Sequence, residues 1–305
     1  MFQKLTALKR LLKTLFSQRK IFGIKRQGAL GDVLLITPII HELKKRYPDA
    51  RIWIQTGCKE ALRHHPDVDK VVSQNIERKA HTIIDLNLAY ESQPKLHLVD
   101  AYSQKAFGAD LEDKRPFLYS SAQDEKRLAR IVKGQLDLAK EAFIVMHQAV
   151  SWENRTWPIA SWNQVVEGLL QDGFKVVIIG RKKDFSYLKD PRVINLHSQL
   201  TLSAIRELIK KSQLFIGPDS ALIHIAMTTK TPIIGLFTVA DPKLRVTREH
   251  NVIALTPTSS CRFCLHDIQP PVEKISCRFG TNHCLKEITP ENVLHCAKQM
   301  LGIRS

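Results

Sequence analysis

No apolar run in this 305-residue chain reaches the roughly 18 residues needed to cross a bilayer. The N-terminus lacks the unbroken apolar core and small-residue cleavage site of a secretory signal, so the sequence points to a protein of the cytoplasm. Aromatic residues are scarce, at 7%, and no RNA-binding or helix-turn-helix signature occurs. A basic nucleic-acid-binding protein is therefore a reading that rests on charge alone, and charge attracts without conferring specificity. No fixed-period repeat occurs, which excludes a solenoid.

What is present is a 44% hydrophobic content over a length that allows two domains, each with its own core. Lys and Arg number 46 against 30 Asp and Glu, giving a net charge of +16. Such a balance attracts a polyanion, whether nucleic acid, anionic lipid or phosphorylated glycan. Residues 1–20 hold Lys4, Lys9, Arg10, Lys13, Arg19 and Lys20 and no acid, while Leu5, Leu8, Leu12 and Leu15 recur at helical spacing. This basic amphipathic helix either lies on an anionic membrane surface or docks on the protein's own core.

From residue 21 onward, short β-rich runs alternate with helical patterns twice over, the mark of βα units and mostly parallel sheets. Strands are predicted at Ile21 to Lys25, Arg51 to Gln55, Val71 to Val72 and Thr82 to Leu86, with a helix from Gly31 to Tyr47 that Pro38 kinks. A charged helix over Asp124 to Lys140 closes this series. A second begins at Phe143 to His147 and continues at Lys175 to Ile179, Val193 to Asn195, Leu214 to Ile216 and Ile233 to Phe237. Helices are predicted between them at Ala160 to Gln171, Leu202 to Lys211 and Ser220 to Thr229, and after Thr289-Pro290-Glu291. The expected architecture is α/β: a basic segment 1–20, then two Rossmann-like domains over 21–140 and 141–305 facing a cleft.

Three segments fall at the carboxyl ends of strands, where open α/β sheets bind ligands. Gly28-Ala29-Leu30-Gly31-Asp32 joins a flexible turn to a carboxylate that serves either as a helix cap or as a reactive base. Gly217-Pro218-Asp219-Ser220-Ala221-Leu222-Ile223-His224 puts a helix N-terminus, suited to phosphate, after a buried strand. For Asp219 and Ser220 the alternative is a cap, and for His224 a satisfied core histidine. His147 to Pro158 offers Arg155, whose guanidinium can fork onto a phosphate, while Trp157-Pro158 reads as an anchor for the next helix. Cys261, Cys264, Cys277 and Cys284 follow the pattern C-x2-C, twelve residues, C-x6-C. In a reducing compartment these are either structural thiols or the four ligands of a structural zinc ion.

Together these segments resemble the glycosyltransferase family that contains the ADP-heptose:lipopolysaccharide heptosyltransferases. The likeness lies in Gly31 to Pro38 with Tyr47-Pro48-Asp49-Ala50, in Arg155-Thr156-Trp157-Pro158 with Trp162, in Gly217 to Ala221 with His224-Ile225-Ala226, and in Cys261-Arg262-Phe263-Cys264 with Cys284-Leu285. The resemblance implies a GT-B fold and inverting transfer of heptose from an ADP sugar to the inner core of lipopolysaccharide. It makes Asp32 the general base. It places Ser151, Arg155, Asp219, Ser220, Ala221, Leu222 and His224 on the donor, and Lys25, Arg26 and Gly31 on the acceptor. No Asp-x-Asp pair stands between the two donor segments, so the expectation is metal-independent catalysis with no cofactor. The implied partners are a nucleotide sugar, the lipid A and core acceptor and an anionic membrane surface, with no nucleic acid, and the implied location is the cytoplasmic face of the inner membrane. Two residue patterns depart from the family, and the first leaves another nucleotide sugar as the alternative donor. Arg181-Lys182-Lys183 stands where relatives place an acid near the ribose, and Ala221 where many have glycine.

Overall fold

The computed structural model of the protein describes residues 20–148, 152–181, 188–247, 250–267, 277 and 279–303. The basic segment 1–19, Ser151, Lys182 and Lys183 lie outside the described residues. Strands β1 (Ile21–Lys25), β2 (Arg51–Gln55), β3 (Lys70–Val72) and β4 (Thr82–Asp85) form a sheet in the order β3-β2-β1-β4. A second sheet holds β5 (Phe143–His147), β6 (Lys175–Ile179), β7 (Val193–Asn195), β8 (Leu214–Pro218), β9 (Ile233–Leu236) and β10 (Val252–Leu255), in the order β10-β9-β8-β5-β6-β7. Every pairing is parallel. The order reverses between β1 and β4 and again between β5 and β8, which are the topological switch points where such sheets open a crevice.

The helix expected from Gly31 to Tyr47 is two helices, α1 (Leu30–Leu35) and α2 (Thr37–Arg46), joined at Ile36. Pro38 lies in the first turn of α2, where its missing N–H costs nothing, so it starts a helix instead of kinking one. The Thr37 hydroxyl secures the joint, donating to the Leu34 carbonyl at 2.5 Å and accepting the Phe117 N–H at 2.8 Å. Helix α3 (Leu98–Phe107) and strand β10 are additions to the predicted elements. Helix α4 (Ala122–Ile131) is shorter than expected, and Gly134 beyond it takes a left-handed φ of 79°. Helices α5 (Ile159–Gln171) and α6 (Leu202–Lys211) follow the expected bounds closely. Helix α7 (Ala221–Ala226) stops early, because the Thr228 and Thr229 hydroxyls bond back to the carbonyls of Ile225 and Ala226. The chain closes with α8 (His283–Glu287) and α9 (Pro290–Leu301).

Strand β5 is buried along its whole length, with Phe143 and Val145 facing one apolar cluster and Ile144 and Met146 the other. That double burial is why it reads as a continuous apolar run and not an alternating one. The first cluster is continuous across both halves of the molecule, joining Ile24, Leu34 and Ile54 to Val145, Phe215 and Ile223. Helix α1 packs on α7, and α4 on α6. Polar ties reinforce this contact: Glu60 accepts the Leu202 N–H at 3.0 Å, and the buried Glu207 carboxylate receives the Ser120 hydroxyl at 2.5 Å and Arg206 at 2.6 Å. Among the described residues no helix is long and apolar enough to cross a membrane.

Trp157 fastens the C-terminal helices to the second sheet. Its indole N–H is shared by the carbonyls of Leu285, at 3.0 Å, and Ile288, at 2.9 Å, and its ring meets Trp162 edge-on at 4.9 Å. Trp157→Phe keeps the apolar body and strands both buried carbonyls. The expected loss is about 1–3 kcal/mol in urea unfolding, and an unchanged midpoint would remove Trp157 as the fastening.

Candidate active site

The first half of the site grows from the end of β1. Arg26, only 1% exposed, lies between the rings of Tyr90 and Tyr102, with its guanidinium carbon 5.1 and 5.4 Å from their centroids. Its Nη2 donates to Glu91 at 2.9 Å and lies 3.1 Å from the Asp32 carboxylate. Asp32 also accepts the Ala29 N–H at 3.0 Å, so the capping role is real. The same carboxylate keeps 16% of its side-chain surface open. Gly28 is there to make room: a Cβ on it would sit 2.7 Å from an Asp32 carboxylate oxygen. Loss of water raises the proton affinity of Asp32 above the ordinary aspartate value, Arg26 opposes the rise and Glu91 adds to it. The carboxylate is thus a stronger base than a solvated cap would be.

The second half grows from β5 and β8 at their switch point. Asp219 is buried, its backbone N–H bonded to the Leu236 carbonyl at 3.0 Å. Burial works to raise its proton affinity, but Arg155, Arg245, His224 and His266 outweigh that and hold the carboxyl below the usual range. Arg155 lies flat on Trp152, 4.2 Å from the ring centroid, with Nη1 3.4 Å from both the Asp219 carboxylate and its carbonyl. The Ser220 hydroxyl caps α7 through the Leu222 N–H at 3.2 Å and meets His147 Nδ1 at 3.1 Å. Gln148 is fully buried, and neither end of its side-chain amide has a partner among the described residues; Asn154 and Nδ1 of His224 are in the same position. Buried polar groups are almost always satisfied, so these open valences, on segments that follow β5 and β8, are available to a ligand.

The two halves meet where α1 faces α7. Gly31 abuts the second half: a Cβ there would stand 3.2 Å from His224 Cδ2 and 3.6 Å from the Ala221 Cα. This places Gly31 and Ala221 at the seam. Leu222 turns its side chain into the core. Lys25 is paired with Glu77. The positive charge of Arg26 is committed to Asp32 and Glu91, which makes it the residue that positions Asp32.

The model of "Glycosyltransferase family 9 (heptosyltransferase)" matches residues 36–272, more than half of the chain. The chain belongs to glycosyltransferase family 9. It is 25% identical to lipopolysaccharide heptosyltransferase 3 of Escherichia coli over 69% of this chain and 81% of that protein. Among solved structures, a family 9 glycosyltransferase from Veillonella parvula DSM 2008 superposes with a TM-score of 0.78 at 16% identity, over 93% of this chain and 98% of that one. The E. coli ADP-heptose lps heptosyltransferase II superposes at 0.67 and 17% identity, over 92% and 98%. The fold is therefore GT-B.

Sequence reasoning missed three residues of this glycosyltransferase's cleft: Tyr90, Glu91 and Arg245. The first two sit in the loop after β4, where no periodicity draws the eye, and Arg245 in a turn after β9. Arg245 stacks on Tyr90 at 5.5 Å, so one ring carries two guanidinium groups. The cysteine-rich segment packs alongside. Phe263 and Leu265 bond to the carbonyls of Thr238 and Val239 at 2.8 and 2.9 Å, and His266 accepts the Asp241 N–H at 2.8 Å. Cys261 meets His283 Nε2 at 3.4 Å, and the Cys284 thiol is pushed up to about 11 by burial and by the sulfurs of Cys261, Cys277 and Cys264. A zinc site on these four sulfurs was one expectation; among the described residues, however, no three ligands converge on one point.

His97 and His224 are held neutral, each lowered to about 4 chiefly by burial. Between pH 6.5 and 4 the unfolded chain takes up protons that the folded one refuses, so stability falls as pH falls through that window. Each imidazole accounts for up to about 3 kcal/mol. Urea unfolding from pH 7.5 to 5 should show this decline, with a shallower slope in His224→Gln; an unchanged slope would mean that His224 is protonated in the folded protein.

Proposed function

We propose that the protein is an inverting heptosyltransferase that moves heptose from ADP-heptose to the inner core of lipopolysaccharide. The observation that carries this is the pair of aspartates at the two strand ends. Asp32 has a raised proton affinity and an open edge, and Asp219 is a fixed anion bound to Arg155. The likeness to lipopolysaccharide heptosyltransferase 3 and to the ADP-heptose lps heptosyltransferase II supports the donor and the acceptor. The acceptor hydroxyl attacks the anomeric carbon from the face opposite the diphosphate, forming the new C–O bond as the old one breaks and ADP departs with the electron pair. Asp32 takes the hydroxyl proton. Arg155 offsets the charge that grows on the leaving oxygens, the task a divalent cation performs elsewhere. The basic segment 1–20 would hold the enzyme at the cytoplasmic membrane face beside its anionic acceptor.

A different nucleotide sugar is the second reading, supported by one observation. Arg181 stands beyond the end of β6, across Gly180, at the edge where such sheets contact a ribose. Transfer assays with ADP-heptose and with other nucleotide sugars on deep-truncated lipopolysaccharide separate the two readings. Incorporation from ADP-heptose supports the first, and incorporation only from another donor replaces it.

Asp32→Asn retains the shape and the acceptor for the Ala29 N–H. It should leave donor affinity intact and cut kcat by roughly 10²- to 10⁴-fold; a loss smaller than tenfold would reduce Asp32 to a cap. In the wild type, kcat/KM should fall with decreasing pH along a limb that lies above the ordinary aspartate value of about 3.9. Gly28→Ala drives a methyl group into the carboxylate, and the expected result is a large drop in kcat with donor affinity kept. Wild-type turnover would show that Asp32 tolerates displacement.

A further inference from the structure

Three arginines line the cleft, and two have their anions. Arg26 binds Glu91 and Asp32, and Arg155 binds Asp219. Arg245 is 6% exposed, yet among the described residues its guanidinium makes no hydrogen bond and no ion pair; its one partner is the face of Tyr90. A guanidinium carries five N–H donors in a planar fork. None of the Arg245 nitrogens is among the side-chain atoms sealed from solvent without a partner, so the fork stays within reach of an acceptor that enters the cleft. The position is also specific. The charge of Arg245 bears on Asp32 in the first half and on Asp219, His224 and His266 in the second, so it stands between the proposed base and the donor segment. The unpartnered Gln148 amide and the Nδ1 of His224 are further open polar groups on the second-half side of the cleft.

We propose that Arg245 joins Arg155 in receiving phosphate oxygens in this cleft, its fork closing on them when ligand binds. This deepens the transferase reading and rests on it. The fit is chemical: a planar fork matches two oxygens of one phosphate, and the aromatic face of Tyr90 fixes the plane in which the fork lies. Phosphate reaches such a cleft from two sources, the diphosphate of the donor or a phosphate ester on the acceptor. Arg26 and Arg155 are each paired with carboxylates of the protein itself, whereas Arg245 is paired with none among the described residues, so both arms of its fork are available to an incoming phosphate. An aspartate or glutamate would have silenced it, and none lies within ion-pair distance among the described residues.

The test compares wild type with Arg245→Met and Arg245→Lys, using ADP, AMP and pyrophosphate in calorimetric titrations and phosphorylated or dephosphorylated truncated lipopolysaccharide as acceptors. If the donor is the source, Arg245→Met binds ADP and pyrophosphate at least tenfold more weakly, with AMP less affected, and Arg245→Lys recovers part of the loss. If the acceptor is the source, ADP binding stays as it was and KM rises at least tenfold for the phosphorylated acceptor alone; the proposal then stands with its source assigned. Wild-type affinities and KM values throughout, in variants that retain the wild-type melting temperature, would overturn it. Should Arg245→Met fail to fold, Arg245→Lys decides alone, since it keeps the charge and loses the fork. UDP and GDP are titrated in parallel: a wild type that binds one of them and not ADP defeats the ADP-heptose reading, while the ratio between wild type and variant for that nucleotide still judges Arg245.

Discussion

The site exists because two short helices from different sheets approach until backbone meets side chain. Gly31 at the start of α1 has no Cβ, and the space that one would fill belongs to His224 and Ala221 of α7. This contact sets the distance between the carboxyl edges of the two sheets. Asp32, Arg26 and Glu91 on one side thereby fall within electrostatic reach of Asp219, Arg155 and Arg245 on the other. A bulkier residue at position 31 would widen the seam and separate the charges. The alanine at 221 follows the same logic, since its methyl group faces the glycine across the seam.

Once the halves are close, the environment makes the two aspartates unlike. Asp32 feels Arg26 and, less, Arg245 on one side and Glu91 on the other, so loss of water, the largest influence, decides and its proton affinity rises. Asp219 faces Arg155 and Arg245 with no carboxylate opposing them among its main influences, so the cations decide and its affinity falls. Two identical side chains thus take two roles, as paired carboxylates do wherever surroundings pull their proton affinities apart. The neutral imidazoles of His97 and His224 belong to the same balance, because a charged ring at either place would add a cation to a cleft that already holds three arginines.

Much of the fold was legible because parallel strands buried on both faces are written as unbroken apolar runs, as in Phe143 to Met146. Strand β10 escaped notice because it is four residues long and its side chains are only half-buried. The division of the Gly31 to Tyr47 helix was hidden because Pro38 suits a helix start as well as a kink. In the site, Asp32, Arg155, Asp219, Ser220 and His224 were visible since each follows a recognisable strand. Tyr90, Glu91 and Arg245 were not, because their loops have no period, and what gathers them is a pair of ring contacts between segments far apart in sequence. Trp157 was read as an anchor for the helix that follows it, and its indole holds α8 and the start of α9 as well.

The apolar cluster that joins the first sheet to the second has a consequence for how the protein comes apart. Domains that share only a polar, hydrated boundary melt separately. Here Leu34 and Ile54 lie in the same continuous cluster as Phe215 and Ile223, so exposing the interior of either half strips apolar cover from the other. The two sheets therefore form one cooperative unit: heat or denaturant removes both together, and the first half does not persist as a folded remnant after the second is lost.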